Sequence, residues 1–511
     1  MKTLAELFAY LQPTADLDET QAGQRVGDLH LDSRALQKND VFIAVQGGQK
    51  HGLDFLTQAC RQGVSVILAD RPFTETEQAG YAALPSAPLI WVVADLQTRL
   101  AALANWFYDT PSRRLKVVGI TGTNGKTSTA HYLAQSLAVL GQTPALIGTL
   151  GHGFMLANGE TRLSDTRNTT PDVVSVQRLL HGFAEAGANW VVMEVSSHAL
   201  SLGRVEGVVF ECVALTQVTR DHLDFHADEA DYRDAKSRLF NEYESSFRVL
   251  NACDSLGRQL LEKHPQALAY SVQSCREACG CGRGVNLCCQ TATLDAAGMH
   301  LTLRFAEAPC EVHLNLMGRF NIENVLCALG VLMACRFDWA AACAVLPALK
   351  AVKGRMHKVA EEPTVLVDFA HTPDALQSVL QAVKAHLPAE SSGQLWVVFG
   401  CGGDRDRGKR PLMAKAAEQA ADKVVLTSDN PRHESPQQIF NDTLAGFTAV
   451  DQVVVIEDRR VAIEYALQHA ATDDVVVIAG KGHEHYQEIA GVRHPFSDQQ
   501  IVEVWLAERA E

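Results

Sequence analysis

The 511-residue chain is predicted to be an α/β protein of three domains, because ordinary domains hold about 100–200 residues. Short apolar runs alternate with helical patterns along the chain, which is typical of parallel sheets joined by helical crossovers. Turn-forming residues at 110–112 end a first α/β unit, and a further unit starts near Lys353. The predicted domains are therefore 1–112, 113–352 and 353–511.

The composition is typical of a large enzyme without membrane segments. Apolar residues make up 47% of the chain, which is enough for several cores. No apolar run approaches the ~20 residues that span a bilayer, and the N-terminus lacks the layout of a signal peptide. A net charge of −15 argues against a general nucleic-acid binder. We therefore expect a cytoplasmic protein that neither inserts into a membrane nor binds nucleic acid.

Each predicted domain has its own series of strands. In the first, short apolar strands alternate with helices. The second and third show the strand, loop and helix pattern of Rossmann-like, doubly wound sheets. The segment 292–316 alternates more and predicts an antiparallel hairpin. The predicted strands cover 41–45, 64–69, 89–93, 190–195, 212–215, 249–251, 364–367, 395–399, 423–426 and 475–479.

A glycine-rich turn is the strongest single signal in the chain. The apolar run 115–120 leads into it, and a helical pattern follows over 128–140. Glycines let backbone N–H groups approach an anion, and the helix N-terminus adds its positive dipole end. Ile120 stands where the longer phosphate loop has its first glycine, so the chain matches a shorter form. Lys126 can neutralise phosphate charge, and Thr127 can hold Mg²⁺. We interpret the turn as a nucleotide triphosphate site made by Gly122, Thr123, Asn124, Gly125, Lys126, Thr127 and Ser128.

Further candidate residues stand near the ends of predicted strands, where α/β proteins place their sites. Glu194 ends an apolar strand and is a candidate Mg²⁺ ligand, with a solvated acid as the alternative. The segment 221–226 holds four acids or imidazoles and indicates a metal or phosphate region, although His226 is equally compatible with a surface histidine. Lys236 lies in an amphipathic helical pattern, where residue chemistry by itself predicts a surface charge.

Residues 399–410 place glycines and four basic residues after a strand, which predicts a second anion site; the alternative is a solvated charged loop. Two later loops also follow strands. Arg432 beside Asn430 suits recognition of a carboxylate, because guanidinium is a rigid two-pronged donor. Glu484 suits recognition of an ammonium group. Together these two loops are interpreted as the reader of an amino acid.

Five of the 13 cysteines form a cluster. Because nothing indicates secretion, free thiols are expected. A zinc site is an alternative, but the spacing lacks a clean pair of C-x-x-C hooks. A variable surface segment that happens to be rich in cysteine is the simpler interpretation. The cluster comprises Cys275, Cys279, Cys281, Cys288 and Cys289.

An ordered series of motifs resembles the Mur ligase family over essentially the whole chain, and most closely its members that add diaminopimelate. Chance agreement of so many motifs in one order is negligible. The motifs are Asp32-Ser33-Arg34, the 121–127 turn, Asn168-Thr169-Thr170, 194–198, Asp221-His222-Leu223-Asp224, Ala235-Lys236, Gly318-Arg319-Phe320-Asn321, Gly354-Arg355-Met356, 368–374, 402–410, Asp429-Asn430-Pro431-Arg432 and 480–484.

The resemblance implies a small N-terminal α/β UDP-binding domain, a central P-loop-type ATPase domain and a C-terminal Rossmann-like domain. It implies catalytic roles for Lys126, Lys236, His222 and Glu194, and a Mg²⁺ site made by Thr127, Glu194, His222 and Lys236. In the family the lysine at position 236 is carbamylated, which would make the surface-charge interpretation wrong. The resemblance further assigns Asn321, Arg355, Asp368 and His371 to the nucleotide; Leu31, Ser33, Gln49, Thr169, Thr170, Ser196 and Arg204 to UDP-MurNAc-dipeptide; and Arg405, Asp429, Asn430, Pro431, Arg432, Gly480 and Glu484 to diaminopimelate.

The implied reaction belongs to peptidoglycan precursor synthesis. ATP would phosphorylate the γ-carboxylate of D-Glu in UDP-N-acetylmuramoyl-L-Ala-D-Glu, and the amine of meso-diaminopimelate would then displace phosphate through a tetrahedral intermediate. Mg²⁺ and Lys126 would offset the charge that accumulates. The implied partners are these small-molecule substrates, and the chain is expected to be a monomer.

Two other functions share part of this pattern. A folylpolyglutamate synthetase has the short phosphate loop and the lysine chemistry, but the motifs at 32–34 and 429–432 argue against it. A non-catalytic nucleotide switch would need neither two anion sites nor an amino-acid reader. Leu202, Gln217 and Phe369 depart from residues common in the Mur ligase family.

Overall fold

The computed structural model describes residues 2–13, 17, 19–48, 50–82, 88–166, 168–219, 221, 225–272, 285–295, 297–387 and 393–510. Contacts between residues divide the chain into two compact units. The first comprises Met1–Lys126, Leu133–Ala269 and Val331–Arg336, and the second comprises Thr127–Tyr132, Tyr270–Gly330 and Phe337–Glu511. This division does not test the predicted boundaries after residues 112 and 352, which stay a prediction.

The first unit begins with a small parallel sheet flanked by helices. Its elements are α1 (Leu4–Leu11), α2 (Glu19–Ala22), β1 (Leu29–His30), β2 (Val41–Ala44), α3 (Leu56–Arg61), β3 (Val66–Ala69), α4 (Glu75–Ala82), β4 (Leu89–Val92) and α5 (Leu96–Phe107). The strands lie in the order β1-β2-β3-β4, and all pairs are parallel. β2 and β3 are buried along their whole length because helices cover both faces of such a sheet.

A larger sheet follows in the same unit. Its elements are β5 (Lys116–Thr121), α6 (Lys126–Val139), β6 (Pro144–Gly148), β7 (Gly151–Met155), β8 (Thr161–Ser164), α7 (Val173–Glu185), β9 (Trp190–Glu194), α8 (Ser197–Ser201), β10 (Phe210–Leu215), α9 (Glu229–Asn241), β11 (Ser245–Asn251) and α10 (Ser255–Lys263). The strands from β11 to β6 are parallel in the order β11-β10-β5-β9-β6, and β7 and β8 extend the edge in antiparallel fashion. The carboxyl ends of β5, β9 and β10 therefore meet at one edge, where α/β proteins bind ligands.

The second unit contains an antiparallel meander and two helices. Its elements are β12 (Leu268–Ser271), β13 (Leu287–Asp295), β14 (Gly298–Phe305), β15 (Ala308–Leu314), α11 (Phe320–Ala334) and α12 (Trp339–Ala344). β13, β14 and β15 pair in sequence order, and β12 joins β13 in parallel. Buried residues on β14 alternate with residues of greater exposure, as the period of a strand requires.

A six-stranded sheet forms most of the remaining unit. Its elements are β16 (His357–Glu361), β17 (Thr364–Asp368), α13 (Pro373–Lys384), β18 (Leu395–Phe399), α14 (Lys409–Ala420), β19 (Lys423–Leu426), α15 (Pro436–Leu444), β20 (Val453–Val455), α16 (Arg459–His469) and β21 (Val475–Ala479), followed by β22 (Tyr486–Ile489), β23 (Val492–Pro495) and α17 (Asp498–Ala510). The order is β16-β17-β21-β18-β19-β20, with β16 antiparallel and the others parallel. β22 and β23 form a separate hairpin.

The α/β class is confirmed, and every strand predicted from apolar runs contains an observed strand. The hairpin expected at 292–316 is a three-stranded meander that begins earlier, at Leu287. β7 and β8 were not predicted, because glycine and polar residues hide their alternation. The expectation of free thiols is wrong at Cys288, which is disulfide-bonded, whereas its neighbour Cys289 is free and buried. Cys275, Cys279 and Cys281 lie outside the described residues.

Within the described ranges, no helix combines the length and apolarity that a bilayer crossing requires.

His386 ties three segments of the second unit together. Its Nε2 accepts the N–H of Gly318 at 2.9 Å, so Nδ1 carries the proton and donates to the carbonyl oxygen of Asp295 at 2.8 Å. The side chain is buried, and burial lowers the pKa of His386 below its ordinary value. The folded protein therefore needs a neutral ring at this position.

Replacing His386 with Gln should make the free energy of unfolding depend less on pH below about 6.5. The folded pKa lies below the unfolded value of about 6.5, so the unfolded chain binds the extra proton, and stability is lost as the pH falls below about 6.5. One such group contributes up to about 1.4 kcal/mol per pH unit in that range. Urea unfolding between about pH 8 and pH 5 would measure the slope.

A matched control is His469→Gln, because the exposed ring of His469 bonds the carbonyl of Tyr465 one helical turn away. This variant should keep the wild-type slope. Equal slopes for His386→Gln and wild type would contradict the role given to His386.

Candidate active site

The glycine-rich turn lies between β5 and α6, as predicted. Gly122 has a φ of +150°, and a Cβ there would lie 1.9 Å from the hydroxyl oxygen of Thr216, so no larger residue fits. Gly125 caps α6 with a φ of +84°, in the left-handed region that glycine adopts readily. Lys126 is the first residue of the helix, and the next two residues are buried. This geometry is that of an anion cradle at a helix N-terminus.

Backbone and hydroxyl groups join the turn to the chain that follows β10. The Thr216 hydroxyl donates to the carbonyl of Asn124 at 2.7 Å, and the N–H of Thr123 donates to the carbonyl of Gln217 at 2.6 Å. The Thr123 hydroxyl donates to the carbonyl of Thr219 at 3.0 Å. Gln217 takes part through its backbone, so its departure from the common family residue leaves this contact intact.

Lys126 and Lys236 converge on one carbonyl oxygen. The Nζ of each lies 2.8 Å from the oxygen of Gly122. Lys236 is 1% exposed, and its Nζ lies 4.5 Å from the centre of the Tyr232 ring. Burial, followed by the positive charge of Lys126, lowers the pKa of Lys236 well below its ordinary value, against the opposing charge of Asp221. The site therefore favours the neutral amine of Lys236.

The surface-charge interpretation of Lys236 is wrong. Tyr232, Lys236, Leu239 and Phe240 are the buried face of α9, with the i, i+4, i+7, i+8 spacing of a helix that packs on a core. The lysine lies in the middle of that face. This spacing is visible in the sequence, and a lysine on an otherwise apolar face was the signal for a functional residue.

Glu194 ends β9 with a side chain that is 1% exposed, so it is not a solvated acid. Its Oε1 accepts the N–H of Thr149 at 2.8 Å, and its Oε2 accepts the hydroxyl of Thr149 at 3.2 Å. A Cβ on Gly148 would lie 2.2 Å from Oε1, so the approach of the carboxylate requires glycine at the end of β6. Sequence reasoning missed Gly148 and Thr149, for which the glycine at a strand end was the available signal.

Four residues assigned to the dipeptide substrate lie together in the first unit. The Thr170 hydroxyl donates to the carbonyl that ends β9 at 2.9 Å, and it accepts the N–H of Ser196 at 3.1 Å. Arg204 donates to the carbonyl of Thr170 at 3.0 Å. The hydroxyl of Thr169 lies 3.1 Å from the hydroxyl of Thr149. These groups therefore surround the end of β9.

Two predicted residues of the uridine end follow β1. Ser33 is 5% exposed, and its hydroxyl donates to Oε1 of Gln58 at 2.9 Å. Leu31 packs against the core of the N-terminal sheet. Gln49 and His222, which were also predicted, lie outside the described residues.

Three residues assigned to the nucleotide lie in the second unit. The guanidinium of Arg355 lies 4.7 Å from the centre of the Phe369 ring. Phe369 departs from the residue common in the family, but it still offers an aromatic face to the cation. Within the described part of the chain, Nε of Arg355 is buried without a hydrogen-bond partner. Asp368 accepts the N–H of Met356 at 2.7 Å, and Nδ1 of His371 lies 2.8 Å from the carbonyl of Phe369. Burial raises the pKa of Asp368, and the charge of Arg355 opposes that shift.

Two histidines near Arg355 are neutral in the folded protein. Burial, aided by the charge of Arg355, lowers the pKa of His131 to about 4, and it lowers the pKa of His483 to about 4. Both rings beside Arg355 are therefore uncharged at neutral pH.

The side-chain amide of Asn321 makes its hydrogen bonds to groups of the protein itself. The residue is 2% exposed, its Nδ2 donates to the carbonyl of Met317 at 2.8 Å, and its Oδ1 accepts the hydroxyl of Tyr132 at 3.2 Å. Asn324 donates to the same oxygen at 2.9 Å. Asn321 thus links the start of α11 to the helix that follows the glycine-rich turn.

The two loops predicted to read an amino acid meet in the second unit. Asp429 accepts the N–H of Asn430 with its Oδ1, and Nδ2 of Asn430 donates to Glu484 at 3.0 Å. Oδ2 of Asp429 is buried and has no hydrogen-bond partner among the described residues. A Cβ on Gly480 would lie 2.6 Å from that oxygen, so the approach requires glycine. A buried carboxylate oxygen costs free energy unless a donor reaches it, which indicates a place for a ligand's ammonium group.

Lys481 connects the two loops through hydrogen bonds, and sequence reasoning gave it no role. Its side chain is fully buried, and Nζ donates to Oδ1 of Asn430 at 3.1 Å and to Oε2 of Glu484 at 2.7 Å. The signal was a lysine between two glycines directly after a buried strand.

Arg432 lies on the same loop as Asp429 and Asn430, and its backbone has a φ of +51°. Its Nη1 donates to the carbonyl of Gly403 at 2.7 Å, and its Nε lies 3.8 Å from Glu488. The side chain is 21% exposed, so part of the guanidinium is open to solvent. Pro431 before it is buried, and Arg405 is exposed.

Two basic residues of the charged loop at 402–410 form ion pairs within the protein. Arg410 is fully buried and pairs with Glu434 at 2.9 Å and with Asp442 at 2.7 Å. The prediction of an anion-binding role is therefore wrong for Arg410, whose charge is used inside the fold. Arg407 also pairs with Glu434, at 3.1 Å.

A buried ion pair supports both of the loops that were predicted to read an amino acid. Arg459 and Asp498 are fully buried and make two contacts of 2.8 Å. Arg459 also donates to the carbonyl of Ala479 at 3.0 Å and approaches the carbonyl of Ser428 at 3.5 Å. These carbonyls come immediately before Gly480 and Asp429. Sequence reasoning missed the pair because its members are far apart in the chain.

Family models and a close relative in sequence identify the family of the chain. The Mur ligase middle domain matches residues 120–332, and the Mur ligase, glutamate ligase domain matches residues 354–482. The chain is 42% identical to the UDP-N-acetylmuramoyl-L-alanyl-D-glutamate--2,6-diaminopimelate ligase of Pseudomonas syringae pv. tomato, over 99% of this chain and 98% of that protein.

Solved structures give the same result at the level of the fold. A UDP-N-acetylmuramoyl-L-alanyl-D-glutamate--2,6-diaminopimelate ligase structure has a TM-score of 0.66 and 32% identity, covering 100% of this chain and 99% of the other. A folylpolyglutamate synthase from Mycobacterium tuberculosis, with a TM-score of 0.59 and 19% identity over 75% of this chain and 92% of its own, shares the fold. With near-complete coverage by a relative 42% identical, the chain belongs to the Mur ligase family.

Proposed function

We propose that this protein is an ATP-dependent ligase that joins meso-diaminopimelate to the γ-carboxylate of D-Glu in UDP-N-acetylmuramoyl-L-Ala-D-Glu. The observation that carries the proposal is a loop that bears both an oxygen of Asp429 without a hydrogen-bond partner among the described residues and the partly exposed guanidinium of Arg432. Opposite charges in one pocket suit the ammonium and carboxylate groups of an amino acid. The names of the relatives that match nearly the whole chain include the same two substrates.

The glycine-rich turn is proposed to hold the ATP phosphates. In the reaction, an oxygen of the D-Glu γ-carboxylate attacks the γ-phosphorus of ATP, and ADP leaves. The amine of diaminopimelate then attacks the acyl carbon, loses a proton, and phosphate leaves with its electron pair. Lys126, at the start of α6, offsets the repulsion between the phosphoryl group and the carboxylate.

Lys236 is proposed to act as a carbamate. A neutral amine has the lone pair that attacks CO₂, and the carbamate forms with loss of one proton. Its negative charge would remove the repulsion between Lys236 and Lys126, which now share the carbonyl of Gly122. The change turns a poorly tolerated buried cation into an oxygen ligand.

Three of the four proposed donors offer oxygen, which Mg²⁺ prefers, and the fourth offers an imidazole nitrogen. We propose that Thr127, Glu194, His222 and the carbamate of Lys236 hold Mg²⁺. Glu194 is buried and fixed by Thr149, so it is oriented in advance. When bound, Mg²⁺ supplies positive charge that favours approach of the carboxylate to the phosphoryl group.

The remaining assignments follow the resemblance and stay proposals. The groups around the end of β9 hold the muramoyl-dipeptide, the residues after β1 hold the uridine end, and Arg355 with its aromatic neighbour contacts the nucleotide. A monomer in the cytoplasm is the predicted working form.

An ADP-release assay with alternative acceptors tests the proposal. With UDP-N-acetylmuramoyl-L-Ala-D-Glu present, meso-diaminopimelate should release ADP in a one-to-one ratio with the tripeptide product. Equal turnover with L-lysine would contradict the substrate assignment, and ADP release only with a folate and glutamate would favour the folylpolyglutamate alternative. Release of ADP without any acceptor product would favour a nucleotide switch.

Lys236→Ala should lower the ligase rate by at least about a hundredfold, because loss of outer-shell support alone costs 10–100-fold at metal sites. Formate or acetate should restore part of the rate, since a small carboxylate can occupy the space of the carbamate. Initial rates with and without these acids measure the effect.

Lys263→Ala, at the end of α10, is the matched control and should neither lose activity nor respond to the acids. Lys236→Arg keeps a cation, cannot form this carbamate, and should also be inactive. An intact-mass or ¹³C measurement that finds unmodified Lys236 in fully active protein would refute the carbamate.

Arg432→Ala should weaken the use of diaminopimelate much more than the use of ATP. Loss of a charge-assisted hydrogen bond costs about 1.5–3 kcal/mol, which is roughly ten- to a hundredfold in kcat/KM. Lysine lacks the distal carboxylate, so the wild type should reject it. The variant should show a smaller preference for diaminopimelate over lysine. Arg460→Ala, at an exposed position of α16, is the control. If the ratio of kcat/KM for the two amino acids is the same in the variant and the wild type, Arg432 does not determine the specificity.

A further inference from the structure

Three metal-ligating side chains lie on one face of the meander in the second unit. Asp295 ends β13, His300 lies on β14 and His313 lies on β15. His300 and His313 are direct cross-strand partners, so their side chains leave the sheet on the same face. None of the three is assigned to the ligase reaction.

The side chains are close enough to share one ion. One ligand atom from each residue lies within 4.8 Å of the others. Nε2 of His300 lies 3.2 Å from Oδ2 of Asp295, and the ring centres of His300 and His313 are 4.3 Å apart. Among the described ranges of the chain, no other trio of histidine, cysteine and acidic residues has this spacing.

The carboxylate is oriented before any ion arrives. Oδ1 of Asp295 accepts the N–H of Ala297 at 2.8 Å and the N–H of Gly298 at 3.0 Å, which fixes the side chain in the turn. The carbonyl of the same residue accepts Nδ1–H of His386. Oδ2 is thereby directed toward His300, and a ligand held by its surroundings loses little entropy on binding.

We propose that Asp295, His300 and His313 form a binding site for a divalent transition-metal ion, with Zn²⁺ as the expected occupant. Two imidazoles and one carboxylate match the ligands that zinc takes from proteins, at about 2.0–2.2 Å. Mg²⁺ and Ca²⁺ prefer sites made mainly of oxygen ligands, so they should bind a site with two imidazoles much more weakly than Zn²⁺. The side chains of His300 and Asp295 are 55% and 50% exposed, so small ring rotations can close the remaining distance.

A metal bound here would add side-chain ligation to the backbone pairing that joins these three strands. Glu311 and Thr293 line the same shallow groove and leave room for water as a fourth ligand. An ion that binds the folded chain and not the unfolded chain raises stability in proportion to the logarithm of its concentration. The site is therefore inferred to be a structural clamp on the meander.

Zinc titration of the full chain tests this inference. Chelator-treated wild type, with Mg²⁺ in large excess, should bind one more equivalent of Zn²⁺ than the double variant His300→Asn/His313→Asn in calorimetry. Asp295→Asn keeps an oxygen for the turn and removes the charge, so it should lower the affinity at least about tenfold. The Tm of wild type should rise with Zn²⁺, and the Tm of the double variant should rise less.

His469→Asn is the matched control, since it removes an exposed histidine at the end of helix α16, and it should bind like wild type. A double variant with the same stoichiometry and affinity as wild type overturns the proposal. A second measurement needs no variant: Zn²⁺ should protect His300 and His313, but not His469, from diethyl pyrocarbonate. Equal modification with and without Zn²⁺ also overturns it.

Discussion

The burial of Lys236 beside the glycine-rich turn is the constraint on which the first unit's site depends. A buried ammonium loses several kcal/mol of hydration, and this one lies next to a second lysine that bonds the same carbonyl of Gly122. The fold therefore holds a group that is stable there only as a neutral amine or as an anion. Gly122 itself admits no side chain because Thr216 fills the space, so α9, the turn and β10 are fixed at one point. Chemistry that needs a negative oxygen beside a phosphate cradle is favoured by this packing.

Strand order explains how distant residues reach one place in each unit. Ile120 on β5 is paired with Glu194 on β9, and Thr121 is paired with Leu215 on β10, so three strand ends are neighbours. In the second unit β17, β21, β18 and β19 are also parallel neighbours, which brings the loops after Asp368, Ala479 and Leu426 to the same edge. The residues proposed to select a ligand lie in these loops, while the strands determine their spacing.

Periodic patterns allowed the strands and the glycine-rich turn to be predicted, because apolar runs and glycine spacing are local signals. Burial of a polar group is not local, and this is where sequence reasoning failed. Lys236 was interpreted as a surface charge, Arg410 was assigned to an anion, and Lys481 received no role, yet all three are buried. Arg459 and Asp498 left no signal, because an ion pair between distant segments has no spacing to detect. The family resemblance supplied the role of Lys236, which residue chemistry by itself did not.

The pairing of Arg459 with Asp498 also bears on the order in which the protein is synthesised. Asp498 begins the helix α17, which follows both Asp429 and Gly480 in the chain. Until that helix has left the ribosome, Arg459 is a guanidinium without its carboxylate, and the two carbonyls it holds lack their common anchor. A nascent chain can thus complete its glycine-rich turn long before the two loops proposed to read an amino acid are anchored. The proposed phosphate cradle would form before the proposed acceptor site.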